Sequence, residues 1–146
     1  MFDPKICTKN LGIPVRISAT PVGTGGYTNM LTRCIVINPT QAKDTRVWVH
    51  EIAHALLDYS DIKEATHLAL NDHIRAKAEI CADTTAFIVC SILGCAKQDE
   101  YRRYMKHYIG ELKTDQMTEE FINDLMPRCK DAAYRILIAG GYYHGK

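Results

Sequence analysis

The chain has 146 residues, of which 47% are hydrophobic and 24% charged, and its formal net charge is +1. This length favours one domain over residues 1–146 with a substantial hydrophobic core. The near-neutral charge gives no electrostatic footprint for nucleic acid, so a nucleic-acid partner is disfavoured. The longest apolar stretch, 86–96, is too short to span a bilayer, so we expect no membrane partner.

The first forty residues predict β structure and turns. Val15–Ile17 and Cys34–Ile37 are short strand candidates, and an Asn-Pro dipeptide ends the second one. A glycine-rich turn over residues 23–26 separates the two candidates, and residues 27–31 are placed to pair between them. The expected result is a small antiparallel sheet of about three strands.

Residues from Thr40 onward predict about four helices. Thr40 is the expected N-cap of a helix that runs to about Tyr59, and residues 60–73 are expected to form a loop with a short helix. Apolar spacing indicates further helices over 74–94, 98–113 and 118–139. The expected fold class is therefore α+β, with a small N-terminal sheet followed by helices.

The cysteine pattern indicates free thiols. Six cysteines stand at positions 7, 34, 81, 90, 95 and 129, and none of them forms a C-x-x-C pair. Residues 1–5 also lack the charged and apolar regions of a signal peptide. We therefore expect a reducing, cytoplasmic setting in which these cysteines behave as small hydrophobic residues.

A metal-binding pattern lies at His50-Glu51-Ile52-Ala53-His54, within the apolar run 47–57. On a helix, positions i and i+4 share one face, so His50 and His54 can hold one metal ion from the same side. Glu51 would lean toward that ion and can serve as a general base. Burying three such side chains is costly unless they are paired or bind metal. The motif therefore predicts a zinc site, and its apolar setting disfavours a chance match.

A catalytic zinc site usually has three protein ligands, so a third is expected downstream. The extended form of the motif would need Gly at 57 and His at 60, where the chain has Leu57 and Ser60. His67 and His73 are possible ligands, but they fall in a polar segment. Glu79 is favoured because it lies on a predicted helix whose other residues are largely apolar or small.

Asp83 lies one helical turn after Glu79, on the same face of the predicted helix. Metal-bound histidines commonly donate their free N–H to a carboxylate, which fixes the tautomer and raises the basicity of the ligand. Asp83 is therefore a candidate to orient a ligating histidine. The alternative is that Glu79 and Asp83 face solvent, paired with a cation such as Arg75.

These segments together resemble a known family. H-E-I-A-H-A-L-L at His50–Leu57, followed by E-x-x-A-D at Glu79–Asp83 and by Ala86-Phe87, resembles the ImmA/IrrE family of zinc metallopeptidases. A further resemblance is to the peptidase-like domain of ArdC-type antirestriction proteins, in which a G-x-x-G-Y-T segment precedes the metal helix as Gly23–Thr28 does here. The resemblance covers roughly residues 15–139.

The resemblance implies a minimal zincin-like domain that contains one Zn²⁺ ion. His50, His54 and Glu79 would be its ligands, Glu51 would be the general base, and Asp83 would orient a ligand. The implied activity is hydrolysis of a peptide bond in an intracellular protein partner, either a regulator or a defence protein. The implied source is a phage or mobile element, since the chain looks like the bare peptidase-like domain.

Two questions stay open at the level of sequence. Tyr27, Tyr142, Tyr143 and His144 are candidates for stabilising the oxyanion, by residue type alone. The alternative function is a zincin-fold binding module that inhibits a host defence protein without cleaving it. Glu51 favours catalysis, because a purely structural zinc site needs ligands but no base.

Overall fold

A computed structural model describes residues 1–29, 32–57, 72–109, 119 and 121–142, with the backbone alone for 72–76, 104, 105, 107–109, 121 and 122. The described part contains three strands: β1 (Val15–Ile17), β2 (Gly26–Thr28) and β3 (Ile35–Ile37). It contains five α-helices: α1 (Pro4–Leu11), α2 (Thr45–Leu57), α3 (Asp72–Leu93), α4 (Gln98–Ile109) and α5 (Met126–Ala139). The predicted α+β class is confirmed.

The sheet is mixed, which corrects the prediction of an antiparallel one. Its strand order is β1-β3-β2; β1 pairs with β3 in parallel, and β2 pairs with β3 in antiparallel orientation. Strand β3 takes the centre because Ile35, Val36 and Ile37 are all buried. A continuous apolar run is typical of a strand that is buried on both faces, as central strands often are. Strand β2 is therefore at an edge rather than between the other two strands.

Helix α1 was absent from the sequence prediction, which expected only β structure and turns in this region. Asp3 caps it by accepting the N–H of Lys5 at 2.9 Å, and Pro4 occupies the first turn, where its missing N–H has no consequence. The helix ends at Gly12, whose φ of +69° is readily adopted by glycine. Its buried Cys7 lies against α5, where the thiol donates to the carbonyl of Ile136 at 3.5 Å.

Helix α2 starts later than predicted. Thr40 lies in a 3₁₀ turn, Pro39–Gln41, so it is not the N-cap of the helix. Asp44 precedes the helix instead, and its carboxylate accepts the N–H of Arg46 at 3.0 Å. The indole N–H of Trp48 donates to the carbonyl of Ala42 at 2.8 Å and ties the turn to the first helical residues. Residues 58 and 59, at the predicted end, lie outside the described ranges.

The later helices agree with the prediction over the described residues. Helix α3 is followed by Gly94 at φ +82°, as expected for a helix C-terminus. Helix α4 covers the first part of the predicted segment 98–113. In the predicted segment 118–139, a short π-helical stretch, Phe121–Leu125, leads directly into α5.

The core forms where α2 meets the sheet on one side and α3 and α5 on the other. Its largest fully buried side chains are Ile35, Ile37, Trp48, Val49, Ile52, Ile80, Val89, Ile136 and Leu137. Nearly every residue of α2 between 47 and 56 is buried, so polar side chains on this helix must find partners inside the protein. All six cysteines are free, as predicted. Among the described helices, none is long and apolar enough to cross a membrane.

Candidate metal centre

The two histidines of the motif lie one turn apart on α2, as their spacing requires. The Nε2 atoms of His50 and His54 are 3.1 Å apart, and the two rings meet edge to face with centroids 4.7 Å apart. His54 is only 4% exposed, and it lies in the tightly packed middle of the helix. Both Nε2 atoms therefore converge on one point between α2 and α3.

Glu79 reaches that same point from α3. Its Oε2 atom lies 3.2 Å from Nε2 of His50, and its Oε1 atom lies 3.1 Å from Nε2 of His54. Donor atoms of these three residues all lie within 4.8 Å of one another, so the group can hold a metal ion. Two imidazole nitrogens and one carboxylate oxygen form a donor set typical of catalytic zinc sites.

Asp83 lies on the opposite side of the His50 ring. Its Oδ1 atom is 2.8 Å from Nδ1 of His50, in an ion-pair contact whose geometry departs from a straight hydrogen bond. Asp83 is 6% exposed, so the helical spacing buries this carboxylate rather than exposing it to solvent. Because Asp83 contacts Nδ1 of His50, the Nε2 atom of the same ring is directed toward Glu79 and His54.

The electrostatics of this group follow from its burial and its charges. Burial alone would lower the pKa of His50, but the contacts with Asp83 and Glu79 outweigh burial and raise the pKa from 6.5 to about 9. Burial would raise the pKa of Glu79, but the charges and hydrogen bonds of His54 and His50 outweigh it and hold the pKa well below its usual range. The carboxylates thus favour positive charge between α2 and α3. A divalent cation would supply that charge, since ligating imidazoles must be neutral.

Glu51 is next to the donor group but is not part of it. The residue is 6% exposed, and its Oε2 atom lies 4.0 Å from Nε2 of His50. Its other carboxylate oxygen, Oε1, accepts a hydrogen bond of 2.8 Å from the hydroxyl of Thr28 on β2. Glu51 therefore points toward the donor group from the β2 side of α2.

A cleft of about 740 Å³ opens onto these side chains. One wall is the segment from Thr20 to Gly26, and the others come from the start of α2 and from α3 and α4. His50, Glu51, Glu79 and Asp83 line it, as does the ion pair of Arg46 and Glu100 on α2 and α4, with Nε and Oε2 3.7 Å apart. The donor group is therefore accessible to a substrate-sized molecule.

Several candidates from the sequence fall elsewhere. His67, Tyr143 and His144 lie outside the described residues, and His73 lies on α3 with only its backbone described. Tyr27 is 43% exposed; strand alternation directs it away from the side where Thr28 meets Glu51, and Tyr27 does not line the cleft. Tyr142, which is 39% exposed, does not line the cleft either.

Sequence reasoning missed two features of the cleft. Thr28 was noted only as part of the G-x-x-G-Y-T segment, and its contact with Glu51 joins residues that are 23 positions apart. Arg46 lies one helical turn before His50, so the same i, i+4 rule that paired the histidines could have placed it at the cleft.

The fold and this donor group define a small α+β domain of the metallopeptidase type. Residues 8–90, more than half of the chain, match the IrrE N-terminal-like domain of the peptidase M78 family. The chain belongs to this family, which confirms the resemblance to ImmA/IrrE-type proteins. The closer resemblance to ArdC-type proteins stays a prediction. No curated protein and no solved structure matches the chain significantly.

Proposed function

We propose that the protein is a zinc-dependent metallopeptidase that hydrolyses a peptide bond in an intracellular protein, either a regulator or a defence protein. One observation carries this proposal: donor atoms of His50, His54 and Glu79 lie within 4.8 Å of one another in a cleft. Glu51, buried beside them, supplies the group that a hydrolase needs in addition to the ligands. Membership of a peptidase family supports the same reaction class.

His50, His54 and Glu79 would hold the zinc ion, and Asp83 would keep His50 in the orientation that its contact favours. The nitrogen and oxygen donors suit zinc, which accepts both. When bound, zinc would act as a Lewis acid that polarises the scissile carbonyl and makes water easier to deprotonate. The fit is supported by the two carboxylates, which compensate positive charge at this point of the fold.

Glu51 would act as the general base. Its Oε2 atom faces the donor group, so it can accept a proton from an attacking water molecule and later pass it to the leaving amine. Its position outside the donor group leaves the carboxylate available for proton transfer. A zinc site that served structure alone would have no need for this residue, so Glu51 favours catalysis over the binding-module alternative.

The edge strand β2 offers a place for an extended peptide. Asn38 N–H donates to the carbonyl of Gly25, and Asn29 N–H donates to the carbonyl of Cys34. Backbone groups alternate in direction along a strand, so those of Gly26 and Thr28 point away from β3. In the part of the chain that the structure describes, no other strand pairs with this side. A substrate could add a strand there, next to Glu51.

The test uses purified protein and a mixture of peptides derived from a bacterial proteome. Mass spectrometry detects new peptide termini after incubation with zinc-loaded protein, with protein treated with a chelator, and with chelated protein restored with zinc. We expect new termini only in the two samples that contain zinc. Identical peptide patterns in all three samples would contradict the peptidase proposal and favour the binding module.

A further inference from the structure

Strand β2 presents two positions to the side of α2 that carries Glu51. Residues i and i+2 of a strand share one face, and here these are Gly26 and Thr28. The hydroxyl of Thr28 lies 2.8 Å from Oε1 of Glu51 and 3.1 Å from the Glu51 carbonyl oxygen. A Cβ atom added at Gly26 would lie 3.4 Å from Cγ of Glu51. Both positions therefore face the same glutamate.

The bond from Thr28 goes mainly to the carboxylate. A hydroxyl carries one proton, and of the two acceptors the carboxylate oxygen is closer and is charged. Hydrogen bonds to ionised acceptors are about twice as strong as neutral ones. Thr28 also has a stiff χ1 angle because it is β-branched, so its hydroxyl is held in place by the backbone of β2.

This bond leaves the second carboxylate oxygen directed at the donor group. Oε2 of Glu51 lies 4.0 Å from Nε2 of His50, on the side where His54 and Glu79 also converge. A glutamate side chain has three torsions, and burial alone does not choose among its rotamers. With Oε1 bonded to Thr28, the direction of Oε2 is set by the position of β2 relative to α2.

Gly26, two positions before Thr28, must be small so that β2 can keep its place beside α2. A Cβ atom at position 26 would come within 2.9 Å of the Val36 carbonyl oxygen and 3.2 Å of Cδ1 of Ile37. Contacts below 3.0 Å force a shift of the surroundings. A larger residue at Gly26 would therefore move β2, and the Thr28 hydroxyl with it. The Gly-Tyr-Thr end of the segment before the metal helix thus has a physical explanation.

We infer that Thr28 is a positioning residue for the base: its hydroxyl holds one oxygen of Glu51 so that the other faces the metal centre. This inference rests on the proposed function, because it gives Glu51 the role of general base. Thr28 itself need not touch the substrate. A bond that only joined β2 to α2 would affect stability, whereas a positioning bond affects the rate of the chemical step.

The kinetic experiment compares Thr28→Val, which is nearly isosteric but has no hydroxyl, with Thr28→Ser, which restores it. Thr8→Val is the matched control, because Thr8 is buried on α1 and donates to the carbonyl of Lys5 at 3.0 Å. The probe is dye-quenched casein, and zinc content is measured in every sample. A misplacement of about 1 Å can lower a rate by about 100-fold.

We expect Thr28→Val to lower kcat by roughly that factor of 100 with KM changed less than about twofold and zinc retained. Thr28→Ser should recover most of the lost kcat, and Thr8→Val should match the wild type. A normal kcat for Thr28→Val, or a loss that Thr28→Ser does not recover, would overturn the inference.

Crystal structures of the zinc-free wild type and the two Thr28 variants provide a readout without substrate. We expect the Glu51 carboxylate to keep its place in Thr28→Ser and to turn away from His50 in Thr28→Val. If the wild type does not cleave casein, these structures decide alone. A carboxylate that moves in Thr28→Val would support positioning even where peptidase activity fails. A carboxylate that stays in place would contradict the inference.

Discussion

Two of the elements that helix α2 contacts differ in the chemistry they offer it. Toward α3 it presents His50 and His54, which meet the carboxylates of Glu79 and Asp83. Toward β2 it presents Glu51, which meets the hydroxyl of Thr28. The first contact gathers the groups that can bind a metal ion, and the second holds the group that can move a proton. The comparison predicts that metal binding and catalysis can be changed separately by substitutions on two adjacent faces of one helix.

The largest effect on metal binding is expected from Glu79→Ala, on the α3 side. Wild-type protein should copurify with about one zinc ion per chain, because three ligands are typical of a catalytic site. The variant should retain little or no zinc by elemental analysis, since the two histidines then lack their third donor. Glu100→Ala is the matched control, because Glu100 also lines the cleft but is 3.7 Å from Arg46 and not part of the donor group.

His73→Ala and His67→Ala test the alternative third ligands. Both should keep wild-type zinc content. Loss of zinc in either variant, with zinc retained in Glu79→Ala, would show that the third ligand is that histidine rather than Glu79 and would contradict the metal-binding side of the comparison.

A smaller effect is expected from Asp83→Ala. Asp83 contacts Nδ1 of His50 at 2.8 Å, at the edge of the ring away from the donor group, so we expect it to orient a ligand without providing one. Loss of such an orienting carboxylate commonly lowers metal affinity by about 10–100-fold. Competition with a chromophoric chelator measures the affinity. An unchanged value would mean that Asp83 does not support His50 in the metal-bound protein.

The smallest effect is a dependence of thermal stability on pH. In zinc-free protein the pKa of His50 is raised from 6.5 to about 9. The stability that protonated His50 contributes is therefore fully present below pH 6.5 and is lost as the pH rises through about 9. Zinc requires neutral imidazoles, so the increase in Tm caused by zinc should grow over this pH range. Differential scanning fluorimetry at several pH values measures it, and a zinc effect that shrinks with rising pH would contradict this reasoning.

The α3 side of the site could be predicted from the sequence because it depends on the spacing of residues along single helices. The i, i+4 spacing placed His50 with His54 and Glu79 with Asp83, and an apolar helical setting favoured Glu79 as a partner. The structure brings these residues together as the spacing predicted. Their roles as ligands and support remain predictions until zinc is measured.

The β2 side of the site could not be predicted from the sequence, because it depends on how segments that are distant in the sequence pack together. Sheet order is set by which strands pair through hydrogen bonds, and only the folded structure shows that β3 lies at the centre. The contact between Thr28 and Glu51 could be predicted only from the position of β2 as an edge strand beside α2. Helix α1 is a different case, because Asp3 and Pro4 are local helix start signals that are present in the sequence.

Metal binding on the α3 side of α2 should be separable from catalysis on its β2 side. Glu51→Gln tests this most directly, with zinc content and peptide cleavage measured on the same samples. Glutamine is nearly isosteric and can still accept the hydrogen bond from Thr28, but it cannot take up the proton of water. The account predicts wild-type zinc content together with a loss of cleavage rate of at least about 100-fold, as expected for a lost acid–base group. Full cleavage by the zinc-loaded Gln variant would contradict the account.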